Sequence, residues 1–113
     1  MEKIGNYNLV RSIENKLGKG SFSIVYLATY CGSDNKYIKH GTKVAIKVIK
    51  TKNLSQKYAE ILQGEISIMK FIKENPHPNI VGCYDIITKE ELNELYIILE
   101  YCDSGDLRSI LKK

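Results

Sequence analysis

The segment Lys43-Val44-Ala45-Ile46-Lys47-Val48-Ile49-Lys50 constrains this chain more than any other. Side chains alternate across a strand, so Ala45, Lys47 and Ile49 share one face and Val44, Ile46 and Val48 the other. Both faces are apolar, and such a strand must be covered on both sides. Lys47 is then a charge set into an apolar face, an arrangement strongly penalised when the charge is unpaired. From about Ser55 to Glu74 the hydrophobic period becomes helical. Ile61, Ile68, Met69 and Ile72 lie at i−4, i+3, i+4 and i+7 from Glu65, which places that carboxylate on the expected core-facing stripe. The economical solution pairs Lys47 with Glu65. Either side chain could instead reach solvent at a sheet edge, as long lysines readily do. An ion pair in such a place is weak evidence for stability, because apolar replacements often serve as well. The two charges taken together therefore point to function, and a lysine held by a glutamate is a fixed point charge suited to phosphate.

The rest of the chain supplies the covers for that strand. At 113 residues there is room for one domain, the usual size being ~100–200 residues. Tyr7 to Leu17 reads as an irregular extended stretch, interrupted by Gly18-Lys19-Gly20-Ser21 and resumed as a strand from Ser23 to Cys31. Gly32 to Thr42 is a polar, turn-rich loop. Asn53 or Ser55 is placed to cap the helix, and Pro76 ends it. Ile80–Thr88 and Leu95–Tyr101 form two further strands joined by the charged turn Lys89–Glu94, and a short helix begins at Asp106. The expected fold is α+β, a five-stranded antiparallel sheet with one main helix.

Composition excludes several function classes. Seventeen Lys and Arg against thirteen Asp and Glu give +4, with no basic block, so nucleic acid is not an expected partner. Three widely spaced cysteines, Cys31, Cys83 and Cys102, form neither a disulfide framework nor a zinc motif and read as reduced thiols. His77 reads as a turn or capping residue, and His40 lies too far away to join it in a metal site. The first residues lack the apolar stretch of a secretory signal, and the run Leu95–Leu99 is far too short to span a membrane. A cytosolic or nuclear protein is expected, with the cytoplasm as its compartment.

Gly18-x-Gly20 would let a backbone approach a ligand closely, adopt positive φ and present N–H groups to phosphate oxygens. Alone it is equally an ordinary hairpin turn. It is not a P-loop, which needs Gly-x-x-x-x-Gly-Lys-Ser/Thr, nor a dinucleotide fingerprint, because it opens a strand and not a helix. The ordered set Leu17-Gly18-Lys19-Gly20-Ser21-Phe22-Ser23-Ile24-Val25, Val44-Ala45-Ile46-Lys47 and Glu65 resembles the amino-terminal lobe of a eukaryotic protein kinase. His77-Pro78-Asn79-Ile80-Val81 is similar to the family's turn into the fourth strand, and Leu99 to Leu107 to its hinge. The wording of the glycine turn, of Glu65-Ile66-Ser67-Ile68-Met69-Lys70 and of the hinge looks most like the autophagy-initiating serine/threonine kinases.

The resemblance implies a nucleotide lobe at about 7–99, a hinge at 100–105 and the start of the next helix at 106–113. It implies ATP as ligand, with backbone amides around Lys19, Gly20, Ser21 and Phe22 covering the β- and γ-phosphates beside Gly18 and Ser23. Lys47 would touch the α- and β-phosphates, oriented by Glu65. Leu17, Val25 and Ala45 would roof the adenine, Leu99 would be the gatekeeper, and Glu100 and Cys102 would bond the adenine edge through their backbones. Asp106 would lie near the ribose, and Met69 and Cys83 would belong to the apolar spine between helix and sheet. Ser23 replaces the family's third glycine, while the long Tyr7–Gly18 stretch and the Gly32–Thr42 insertion predict a bulge and an extended hairpin.

Neither His-Arg-Asp nor Asp-Phe-Gly occurs in the 113 residues. These motifs carry the catalytic base and the magnesium ligands, so Mg2+ is expected only in a complete enzyme and these residues alone should transfer no phosphate. The implied reading is a partial serine/threonine kinase domain without its carboxy-terminal lobe, acting on protein substrates when complete. The alternatives are a stand-alone nucleotide-binding or regulatory module, and an α+β domain whose glycines and ion pair are structural.

Overall fold

The computed structural model describes residues 2–20, 23–36, 38–52, 54–75 and 82–101. The strands are β1 (Glu2–Ile4), β2 (Tyr7–Leu9), β3 (Lys16–Lys19), β4 (Ser23–Tyr30), β5 (Lys43–Lys50), β6 (Cys83–Lys89) and β7 (Glu94–Glu100), with one helix, α1 (Gln56–Glu74), between β5 and β6. All pairings are antiparallel, in the order β1-β2-β4-β5-β7-β6, with β3 on the same edge of β4 as β2. The α+β class stands, but there are seven strands where five were expected.

Both extra strands come from the amino-terminal stretch. Glu2–Ile4 folds back on Tyr7–Leu9 through Gly5, whose φ of 57° lies in the left-handed region that glycine enters without steric cost. The stretch Tyr7–Leu17, expected to be one irregular strand, splits in two. Asn15 and Lys16 donate to the carbonyls of Ser12 and Ile13, so the chain steps away from β4 and rejoins it at β3. The expected bulge is present as a register shift between Lys16 and Gly18.

Strand β5 is covered on both faces. On one, Val44, Ile46 and Val48 join Ile4, Tyr7, Leu9, Tyr96 and Ile98 in a core closed by the amino-terminal hairpin. The two ends of the sheet meet across it. An added Cβ on Gly5 would stand 2.8 Å from Ile87 Cδ1 of β6, and Lys89 Nζ donates to the Lys3 carbonyl at 3.1 Å. The loop expected between β4 and β5 contributes as well, since Ile38 is buried in the same core and Asn35 Oδ1 accepts from its amide.

On the other face, Ala45 and Ile49 pack with Val25, Leu95, Ile97, Leu99 and Cys83 beneath α1. The helix starts at Ser55, whose hydroxyl accepts from the Tyr58 amide; Asn53 and Pro76, the other expected boundary residues, lie outside the described residues. The stripe that packs on the sheet is Leu62, which is buried, with Ile66, Met69 and Ile72, which are partly buried. Ile61 and Ile68, expected on it, are 51% and 58% exposed, and Phe71 is 65% exposed. The physical reason is that α1 rests on the sheet from one side, so its contact arc is narrower than its apolar arc. Among the described residues no helix is long and apolar enough to cross a membrane.

A polar cluster ties the sheet's ends together. Arg11 forks between Glu2 and Glu94, donating to Glu2 at 2.6 and 3.0 Å and to Glu94 at 2.6 and 2.8 Å. Tyr96 donates to Glu94 at 2.5 Å, and Lys50 Nζ stands 3.6 Å from it. Glu94, expected in the charged turn Lys89–Glu94, instead opens β7 and is buried. The Arg11 guanidinium, with help from the Tyr96 hydroxyl, holds the Glu94 carboxyl well below its usual value of 4.5, at about 2.

Two outcomes follow for stability. Leu62→Ala should cost about 2–4 kcal/mol in chemical denaturation, whereas Ile68→Ala should change stability by no more than about 0.5 kcal/mol; equal costs would place the wrong stripe in the core. Because folding lowers the Glu94 pKa, the unfolded chain binds more protons as pH falls. The stability contributed by Glu94 is therefore complete above 4.5 and is lost as pH drops toward about 2. Melting curves over that range should show a shallower pH slope for Glu94→Gln than for the unsubstituted chain.

Candidate functional site

Antiparallel register sets one row of residues across four strands on the helix-covered face: Gly18 opposite Val25, Val25 opposite Lys47, Lys47 opposite Ile97. A second row runs Leu27, Ala45, Leu99. Lys47 emerges between Ala45 and Ile49, both fully buried. Its ammonium forms an ion pair and hydrogen bond with the Glu65 carboxylate of α1. The two side chains are 25% and 27% exposed, so the pair is anchored in the core and open at its outer end, less enclosed than the sequence pattern implied. Stems in an apolar layer with polar ends toward solvent are what a long lysine can satisfy without full desolvation.

The residues expected to roof the adenine lie on the same face of the sheet as Lys47. Val25, Ala45 and Leu99 are buried in one cluster with Leu17 packed against it, and Met69 and Cys83, the expected spine residues, belong to the same cluster. Burial pushes the Cys83 thiol up to about 11, so it is a protonated, unreactive packing group. Glu100 ends β7 with an exposed side chain and its amide bonded to the Gly82 carbonyl at 2.8 Å. Ser21, Phe22, Cys102 and Asp106 lie outside the described residues, as does His77.

The glycine turn differs from the expected cradle in two respects. Gly18 lies within β3, and neither it nor Gly20 has positive φ. The Gly20 amide donates to the Ser23 carbonyl at 2.7 Å and so closes the turn. Space beside Gly20 is tight, since an added Cβ would stand 3.0 Å from Ser23 Oγ.

A cavity of about 350 Å³ adjoins this turn, lined by Lys19, Gly20, Ile24, Tyr26, Val48 and Arg11 among others. It is not the site just described. Ile24, Tyr26 and Val48 alternate with Val25, Lys47 and Ile49, so the cavity opens on the opposite face of the sheet. Arg11 and Glu94 were invisible to pattern reading, since the partners lie 83 residues apart. The one local signal was a carboxylate directly preceding the apolar run Leu95–Leu99. Among the described residues no group of His, Cys, Asp and Glu side chains is placed to hold a metal ion.

Comparison with known proteins agrees with this arrangement. A family model described as protein tyrosine and serine/threonine kinase matches residues 11–113. The chain is 36% identical over 110 residues to the serine/threonine-protein kinase apg-1 of Neurospora crassa, covering 96% of this chain and 10% of that protein. It is 36% identical over 112 residues to the serine/threonine-protein kinase ATG1 of Mycosarcoma maydis, covering 99% of this chain and 10% of that protein. It is 38% identical over 110 residues to the serine/threonine-protein kinase ATG1b of Arabidopsis thaliana, covering 97% of this chain and 13% of that protein. The chain thus spans about a tenth of the length of these relatives. The family model covers residues 11–113 and these relatives match nearly the whole chain at 36–38% identity, so the chain belongs to the protein kinase family.

Proposed function

We propose that these residues form the ATP-binding lobe of a serine/threonine protein kinase of the ATG1 type, which in its complete form transfers phosphate from ATP to protein hydroxyls. The observation that carries this reading is the Lys47–Glu65 pair, which links the strand face under the glycine turn to the helix. An ammonium fixed by a carboxylate and open at its outer end is placed to meet the α- and β-phosphates. The apolar surface of Leu17, Val25, Ala45 and Leu99 suits the flat faces of adenine. The backbone of Glu100 and Cys102 would bond the base edge, and Asp106 would lie near the ribose. Lys19, Ser21, Phe22 and Ser23 would lie over the outer phosphates beside Gly18 and Gly20.

The proposed roles of Lys47, Glu65, Met69 and Cys83 draw support from the packing around them. Glu65 holds Lys47 away from other partners, so the ammonium need not be reoriented when phosphate arrives. Met69 and Cys83 pack in the cluster that contains Ala45 and Leu99, which couples the position of α1 to the adenine roof. A shift of the helix would break the ion pair and disturb that packing together. The residues that bear the catalytic base and hold magnesium in this family have no counterpart in the 113 residues. These residues are therefore proposed to bind nucleotide but not to transfer phosphate.

Titrating the isotopically labelled chain with ATP while following backbone amide resonances tests the reading. Resonances of β3, β4, β5 and the end of β7 should shift saturably. Lys47→Met should weaken ATP binding at least about tenfold, the loss expected when a charge-assisted hydrogen bond is removed, with the amide spectrum otherwise retained. Unchanged ATP affinity in that variant would remove Lys47 from the site. A mixture of the chain, ATP and a generic protein acceptor should yield no phosphorylated product.

A further inference from the structure

The cavity of about 350 Å³ on the face of the sheet away from Lys47 has no part in the nucleotide reading. Its volume falls within the ~300–1,000 Å³ usual for small-molecule sites. Strand register builds its floor. Lys19 of β3 stands opposite Ile24 of β4, and Ile24 opposite Val48 of β5, so the three form one row on one face. The Lys19 side chain, unlike its backbone, is thus turned away from the proposed place of the phosphates. Tyr26 and Lys50 lie on that same face by alternation, two residues beyond Ile24 and Val48. Ile24, Tyr26 and Val48 give the cavity an apolar floor, of which Ile24 and Tyr26 are only half-buried, while Lys19, Lys50 and Arg11 supply its charges.

The charges around this floor do not balance. Arg11 is held in a clamp by Glu2 and Glu94, each of which accepts two hydrogen bonds from it, and Lys50 Nζ stands 3.6 Å from the same Glu94. Those two carboxylates offset two of the three cations. Lys19 remains, exposed at the edge of the floor and without an ion pair among the described residues. Among those residues no carboxylate side chain lines the cavity itself. A guanidinium forked between two carboxylates is fixed in orientation as well as position, so Arg11 is not free to turn inward and fill the space. The site therefore lacks two things, apolar atoms over Ile24 and Tyr26 and one negative charge at Lys19.

We propose that this cavity binds a small amphiphilic monoanion, a free acid carrying one carboxylate on a compact apolar body. The apolar part covers Ile24, Tyr26 and Val48, and the carboxylate meets the Lys19 ammonium. A ligand of higher charge, such as a phosphate monoester, suits the site less well, because only one of its cations is unmatched. The inference is independent of the nucleotide reading, since the cavity and the Lys47–Glu65 pair lie on opposite faces of β4 and β5.

Octanoate is the probe. Titrated into the isotopically labelled whole chain, it should shift the side-chain methyl resonances of Ile24 and Val48 saturably while those of Val25 and Ile97, on the other face, stay in place. Octan-1-ol, with the same chain and no charge, should bind about fivefold more weakly, the upper end of what one exposed ion pair contributes. Acetate, with the charge and no chain, should bind too weakly to saturate. Lys19→Gln, a change at an exposed position, should reduce octanoate affinity by about the same fivefold and leave octan-1-ol unaffected. Ile24→Glu, which sets a carboxylate into the floor, should abolish octanoate binding with the amide spectrum otherwise retained; if that variant does not fold, Lys19→Gln decides alone. Octan-1-ol binding as tightly as octanoate, undiminished octanoate affinity in Lys19→Gln, methyl shifts spread over both faces, or no saturable binding below the concentration at which octanoate forms micelles would each overturn the proposal. None of these outcomes bears on the Lys47 site.

Discussion

Everything in this molecule is arranged around a strand that cannot face water on either side. Val44, Ile46 and Val48 on one face of β5, and Ala45 and Ile49 on the other, are all essentially buried. One sheet face with one helix would leave half of them exposed, at a cost of roughly 1.5–3 kcal/mol for each large apolar side chain. The chain supplies two covers of different kinds. The helix closes one side, and the amino-terminal hairpin with the curl of the sheet closes the other. The interior of a lobe this small is thereby divided into two apolar layers with β5 between them.

That division accounts for the location of the charges. Lys47 and Glu65 meet on the helix side, where the edge of the layer is open enough to leave each about a quarter exposed. Glu94 and Arg11 meet at the other side of the sheet, where Arg11 also bonds Glu2 of β1. The first pair joins consecutive elements and the second spans 83 residues, and neither is valuable chiefly as a source of stability, since burying charge consumes most of what pairing returns. They fix geometry. One ties the Lys47 ammonium of β5 to α1, and the other ties β1 and the step between β2 and β3 to the first residue of β7.

The strands β4 to β7 and the helix were legible in the sequence because their signals are local: alternation in Val44–Ile49 and Leu95–Leu99, a helical period from Ser55 onward, and turn residues between them. Lys47 and Glu65 were legible because each is a charge out of place in its own element. The amino-terminal strands were less so. Three-residue strands such as Glu2–Ile4 and Tyr7–Leu9 are too short for a period to register, and they exist because a sheet edge and a core need them. The helical period alone makes the stripe too wide, because the apolarity of Ile61 and Ile68 does not state which part of an apolar arc a single supporting sheet will touch.

The sequence by itself determined the two-sided strand, the helix that follows it, the glycine turn and the pair of misplaced charges, since each depends only on residue type and spacing within one element. Tertiary structure alone decided the rest. It set Gly18, Val25 and Lys47 in one row through strand register, left Gly18 and Gly20 without the positive φ a turn glycine can take, and brought Arg11 to Glu94 across 83 residues. Register, cavity and clamp depend on which segments lie side by side, and that is settled only when the apolar layers close around β5.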